Sequence, residues 1–381
     1  MKAPLTSRER MLLAIGNREP DVVPVAPDMS NMIPCRLSGK PFWDVYLYKD
    51  PPLWRAYLNA RRYFGFDGWF NSANLEFSYA HDPCVETERI ISREHGWITT
   101  RITVETPAGE LWAEKTYYPD NPPTTTRKLV KDIVADMPKL RYLYPIAAGY
   151  DATEFEEQRR AVGEDGAFGA AIGLPGFQSM VGLFDGGLEA VAYAYADHHD
   201  LMLELTEMQA AVLIRQAELI LDARPDYIIL SASGLWTLNI ARSFRELALP
   251  TAQKITRMAK EAGILSMLHS CGKERQLVEI FANETDLDCI NPLEPPPMGD
   301  CDLAEIKSVF GHRLGLFGNL HTTEVMLRGT PEDVARAARA AIDAAAKGGG
   351  FVLSTGDQCG RDTPDENILA LIQTAREYGR Y

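Results

Sequence analysis

Three residues of this chain carry the donor types that a soft divalent metal takes. His269 and Cys271 stand two apart in Leu268-His269-Ser270-Cys271-Gly272. In extended backbone that spacing turns both side chains to one side. Cys359 lies far downstream, in Ser354-Thr355-Gly356-Asp357-Gln358-Cys359. One imidazole nitrogen and two sulfurs suit zinc, at about 2.0–2.1 Å for nitrogen and about 2.3 Å for sulfur. Three protein ligands leave a position open, as in a catalytic rather than a structural site. Glu294, in Asn291-Pro292-Leu293-Glu294-Pro295, is the candidate for a fourth, displaceable ligand. The plain alternatives are a hydrogen-bonded histidine, two small packing cysteines and a solvated loop carboxylate.

Other side chains have chemistry at longer range. His321 is placed to assist proton transfer or to start a helix. Asn71, Asn74, Asn239 and Asn319 are groups that hydrogen-bond a substrate or make turns. Met29, Met32, Phe70, Phe77, Tyr79, Phe177 and Trp236 offer apolar surface for a small molecule, or rim packing. His198 and His199 lie in a helical stretch with no catalytic part expected. Cys289 is expected to pack inside, and Cys301 to lie in a loop.

These residues need a scaffold that brings distant strand ends together. Short apolar runs recur at Val22–Val25, Gly68–Phe70, Ala167–Ile172, Tyr227–Leu230, Ile264–Leu268, Cys289–Ile290, Leu314–Phe317 and Phe351–Leu353. Helix-like stretches intervene, among them Leu188–Leu221, Ser243–Ala262 and Pro331–Lys347. Near-continuous apolar strands are what a parallel sheet buried on both faces requires. Eight βα units predict a TIM (β/α)8 barrel formed as one domain over residues 1–381, with an open doubly wound sheet as the alternative. The barrel's active-site face lies at the strand ends, where His269, Cys271, Glu294 and Cys359 all fall. Alternation over Glu86–Tyr118 around Pro107-Ala108-Gly109 predicts a β-hairpin inserted between strands two and three. A Pro-rich connector, Pro119 to Thr126, completes that insertion over residues 86–126.

Composition narrows the function classes. The net charge of −14 argues against nucleic acid, which needs a basic footprint, and against an anionic membrane surface. No run approaches the roughly 18 apolar residues of a membrane helix. The polar start, Met1 to Arg10, lacks the apolar core of a secretion signal. Six sparse, irregular cysteines do not make a disulfide framework. A cytoplasmic setting is expected, with the oligomeric state left open and a homodimer among the options.

Longer motifs resemble the uroporphyrinogen decarboxylase superfamily over nearly the whole chain. They are Ser7-Arg8-Glu9-Arg10-Met11-Leu12-Leu13-Ala14-Ile15, Arg18-Glu19-Pro20-Asp21-Val22-Val23-Pro24-Val25, Tyr63-Phe64-Gly65-Phe66-Asp67, His269-Ser270-Cys271-Gly272, Leu327-Arg328-Gly329-Thr330-Pro331-Glu332-Asp333-Val334 and Asp362-Thr363-Pro364-Asp365-Glu366-Asn367, with Ala375 to Tyr381 at the close. The resemblance implies a TIM barrel. It also implies a choice of chemistry. True decarboxylases carry an arginine-rich first loop and an aspartate after the second strand. Here the first loop, Pro27 to Arg36, has one arginine, and Asn71-Ser72-Ala73-Asn74 has no aspartate. The zinc-dependent, corrinoid-linked methyltransferases of the superfamily carry His-x-Cys and a late Cys, matched here by His269, Cys271 and Cys359. That branch implies methyl transfer between a small donor or acceptor and the cobalt of a corrinoid (cobalamin) held by a separate protein, since no Asp-x-His-x-x-Gly motif is present. The set Met29, Met32, Phe70, Phe77, Tyr79, Phe177 and Trp236 favours a methoxylated aromatic donor, with Met32, Phe70, Phe177, Trp236, Asn74 and Asn319 as the substrate-binding candidates and Glu294, His321 and Asn71 as catalytic candidates. A metal-free decarboxylase-like lyase is the alternative.

Overall fold

The computed structural model describes residues 4–71, 73, 75–82 and 84–381. Its centre is a curled parallel sheet of seven strands, in the order Gly68–Phe70, Gly166–Ile172, Tyr227–Ser231, Leu265–His269, Cys289–Asn291, Gly315–Leu320 and Phe351–Thr355. Each strand pairs in parallel with the next one along the chain in this sheet, as successive strand–crossover–strand connections produce. The strands are almost wholly buried because helices cover their outer face and side chains fill the inside.

Seven of the eight expected strands therefore form, and the first differs. Val22 and Val25 make only isolated bridges. Pro24 has no N–H to give a ladder, although its carbonyl accepts from Leu353 N. On the other flank Asp67 N donates to Val25 O, while Val25 N is taken by the Asp67 carboxylate at 3.0 Å. This segment thus bonds to both ends of the seven-stranded series, in keeping with a TIM-like barrel.

One close approach locks neighbouring strands. Tyr227 is fully buried and donates to Phe70 O at 2.9 Å. Its ring lies over Gly169, where a Cβ would stand 2.3 Å from the ring carbons. Only glycine fits there.

Between Phe70 and Gly166 the structure builds more than the single hairpin expected. Val85–Ser92, Ile98–Thr106, Gly109–Tyr117 and Thr124–Arg127 form a four-stranded antiparallel sheet. The end of the expected connector is thus a strand. Thr124 to Arg127 are β-prone, and they pair with Glu114–Thr116 once past the Pro-rich turn. Val104 and Leu111 pack with Ile133 and Met137 in a second apolar core, separate from that of the parallel sheet. The helical stretch Leu188–Leu221 is two helices, Gly187–Asp197 and His199–Asp222, parted at His198. Among the described residues no helix is long and apolar enough to cross a membrane.

Candidate functional site

Register places the first functional pair. His269 and Asn291 are the last residues of adjacent strands and stand directly opposite each other. His269 Nδ1 lies 2.6 Å from Asn291 Oδ1. Asn291 Nδ2 donates to Phe317 O at 3.4 Å, which leaves Oδ1 to accept. His269 Nδ1 therefore carries the hydrogen and Nε2 keeps its lone pair. This is how metal-ligating imidazoles are usually held.

Glu294 and Asp357 lie near enough to that imidazole to feel its charge, and both in turn act on Cys271. Glu294 is buried and accepts from Gly272 N. Gly299 allows this loop to close, since a Cβ there would meet Glu294 O at 2.2 Å and Gly272 O at 2.6 Å. Burial holds the Glu294 carboxyl above its ordinary range, against the Gly272 bond and with the Asp357 charge adding to it. Burial first, and then the charge of Asp28, raise Asp357 too, while His269 lowers it. Burial and then Asp357 push the Cys271 thiol up to about 11. Burial and mutual proximity thus shift two carboxyls and a thiol in the same direction, toward the protonated form, and a bound cation would reverse that shift.

Cys359 follows Asp357 by two residues. It is fully buried, its N–H donates to Asp28 O at 2.8 Å, and burial followed by Asp28 pushes its thiol up to about 12. The donor chemistry fits a zinc ion: one free imidazole nitrogen, two sulfurs and a carboxylate. The side chains themselves stay apart. Among the described residues no three His, Cys, Asp or Glu side chains converge as a ready metal cage.

A cavity of about 160 Å³ opens next to Asp28. The rings of Tyr57, Trp69 and Phe70 wall it, and Asp28, Ser30 and Asn71 supply its polar rim. Of the sequence candidates, Phe70 and Asn71 are among the residues lining this cavity, at the end of the strand Gly68–Phe70. Asn74 is outside the described residues.

The remaining candidates stand elsewhere. Met32 packs against Cys35, Phe42 and Val45 in a small satellite cluster. Phe177 is buried edge-on to Tyr195 at 5.1 Å, in the second core. Trp236 is half-buried against Phe244 at 5.5 Å. Asn239 is a structural knot, accepting from Phe177 N and donating to Leu235 O. Asn319 donates to Leu293 O at 3.0 Å and so braces the Glu294 loop. His321 starts a helical turn: its Nδ1 accepts from Thr323 N and Glu324 N, both at 3.1 Å. Cys289 is fully buried, and Cys301 is buried within its loop. Asp28, Tyr57, Asn291 and Asp357 escape the sequence reading. Only Asn291 left a signal, as the residue closing the strand next to that of His269.

Comparison with known proteins follows the same lines. The family model described as uroporphyrinogen decarboxylase (URO-D) matches residues 176–378. A methylated-thiol–coenzyme M methyltransferase of Methanosarcina mazei is 29% identical over 141 residues, which are 37% of this chain and 35% of that protein. The methylcobamide:CoM methyltransferase MtbA of the same organism is 26% identical over 212 residues, 54% of this chain and 59% of MtbA. MtbA of Methanosarcina acetivorans is 27% identical over 152 residues, 39% of this chain and 41% of its own length. The chain thus spans between 35% and 59% of the curated relatives it matches. A solved methyltransferase from Methanosarcina mazei superposes with a TM-score of 0.67 at 17% identity, over 98% of this chain and 99% of that one. That likeness covers the fold.

Proposed function

This chain belongs to the uroporphyrinogen decarboxylase family, and from that premise we propose that it is a zinc-dependent methyltransferase working with a corrinoid held by a separate protein. The methyl group moves between a small donor, a methoxylated aromatic, and the corrinoid's cobalt, so the chain acts as the demethylating component. The observation that carries this reading is the Asn291-oriented imidazole of His269 near the Glu294 carboxyl, with Cys271 two residues on, in a chain whose relatives are named methylcobamide:CoM and methylated-thiol–CoM methyltransferases. His269, Cys271 and Cys359 would hold the zinc, with Glu294 as an exchangeable ligand. Bound there, zinc supplies Lewis acidity toward the oxygen, nitrogen or sulfur from which the methyl departs.

The chain's own groups do the rest. Asn291 fixes the imidazole, Asn319 and Gly299 hold the Glu294 loop, and the cavity beside Asp28 receives the donor. The sparse, irregularly spaced cysteines support a reducing, cytoplasmic setting. Porphyrinogen decarboxylation has less support. It needs cations for the propionates, yet the single arginine of the first loop, Arg36, is paired with Asp365, and the cavity rim carries Asp28.

The test is metal analysis of the purified protein, followed by cobalt absorption spectroscopy with reduced corrinoid carrier and a panel of methoxylated aromatics, methylamines and methyl thiols. About one zinc per chain, as the single ligand set implies, and a cobalt change with a methoxylated aromatic are expected. A zinc-loaded protein that methylates cobalt from no donor sinks the proposal.

A further inference from the structure

The cavity beside Asp28 has the size of one aromatic ring. An apolar cavity of about 150 Å³ takes up benzene, and this one measures about 160 Å³. Its walls are themselves rings: Phe70 stands edge-on to Tyr57 at 5.0 Å, and Trp69 is braced by Phe317 at 4.7 Å. Two polar atoms break the apolar lining. Tyr57 is 7% exposed, and its hydroxyl hydrogen has no acceptor among the described residues. Asp28 is 3% exposed, and its Oδ1 takes both Ser30 N at 2.9 Å and Ser30 Oγ at 2.7 Å. That leaves Oδ2 for an incoming donor. A buried group without a partner is a cost that a ligand relieves.

The ligand must therefore accept from Tyr57, donate to Asp28 and present a flat ring. A phenol does all three through one hydroxyl. We propose that this cavity binds the ring of a methoxylated phenol, with Tyr57 donating to the phenolic oxygen and Asp28 accepting the phenolic hydrogen. The inference rests on the methyl-transfer reading for its choice of a methylated ring. Asp28 links the two sites, since its carbonyl accepts from Cys359 N at 2.8 Å. Asp28, on the cavity lining, selects against a ring that carries a carboxylate. Tyr57 and Asp28 are thus specificity-determining residues of the donor pocket.

Isothermal titration of the full chain with 2-methoxyphenol, 1,2-dimethoxybenzene and 4-hydroxy-3-methoxybenzoate tests this. The methoxyphenol is expected to bind about tenfold more tightly than either of the others, the worth of one hydrogen bond or one charge clash. Tyr57→Phe should lose a similar factor while its melting temperature stays nearly level, because the hydroxyl hydrogen has no acceptor to lose. Asp28→Asn should weaken the methoxyphenol and narrow its lead over the benzoate. Equal binding of methoxyphenol and dimethoxybenzene, or full-strength binding by Tyr57→Phe, overturns the proposal. So does methyl transfer from an amine or a thiol with no phenol bound. Selective phenol binding without any methylation of cobalt leaves the pocket standing and removes the methyl-transfer reading instead.

Discussion

His269 owes its orientation to a residue that no metal motif contains. The sequence marks His269, Cys271 and Cys359 because their types are scarce and chemically loud. Asn291 is silent in that sense, and only strand register sets it opposite the imidazole. Asp28, Tyr57 and Asp357 are silent too: an aspartate in a loop or a tyrosine on a helix is commonplace, and their importance lies in what the fold sets beside them. His321 shows the reverse. It looks chemical and is spent on capping a turn. Asn291→Ala removes the hydrogen bond that fixes the His269 tautomer. It is expected to lower zinc affinity by about 10–100-fold, the usual effect of losing such an outer partner, with the fold retained. Competition with a chelator of known affinity measures it. Unchanged affinity would mean that His269 is not a ligand.

At the scale of elements, several motifs that mark the family are structural signals. In Ser7-Arg8-Glu9-Arg10, Glu9 completes a capping box with Thr6. Arg10 bonds Asp21 at 2.8 Å and Asp67 at 2.9 Å, which clamps the chain start to the Val25 segment. In Thr330-Pro331-Glu332-Asp333, Thr330 and Asp333 cap the helix Pro331–Ala345 reciprocally. These patterns are legible because capping is local. The backbone N–H of Thr330, then Arg336 and the Thr330 hydroxyl, hold the Asp333 carboxyl down to about 2. The folded chain thus binds this proton more weakly than the unfolded chain, whose aspartates titrate near 3.9. Its stabilising effect is present above about pH 4 and fades as pH falls toward about 2. Asp333→Asn should melt below the natural chain at pH 7, with the gap closing between about pH 4 and pH 2. Thermal melts across that range check this, and a gap that persists at pH 2 counts against the cap.

For the whole molecule, seven strands of the parallel sheet were legible because each is a short apolar run buried on both faces. The Val22–Val25 run was legible as a chain segment and not as a paired strand, because Pro24 and the Asp67 carboxylate replace ladder bonds. The antiparallel sheet was half legible. Its central hairpin alternates clearly, whereas Val85–Ser92 is exposed along most of its length and Thr124–Arg127 follows a Pro-rich stretch. The two sheets rest on different apolar clusters. One runs through the parallel strands and includes Phe317, Ile229 and Leu268, all fully buried. The other, smaller one joins Val104 and Leu111 to the helix Ile133–Leu140. Opening an edge strand costs only the contacts of that strand, whereas opening a central barrel strand costs much of the larger core. Val85, Ile90 and Ile91 are 58%, 41% and 44% exposed, so little apolar burial opposes release of that edge. Amides of Val85–Ser92 are therefore expected to exchange with solvent well before those of Tyr227–Ser231 and Leu265–His269. Hydrogen-exchange mass spectrometry reads this directly. Equal protection of the two sheets would show that they open as one unit, with the smaller core tied energetically to the strands that carry the candidate ligands.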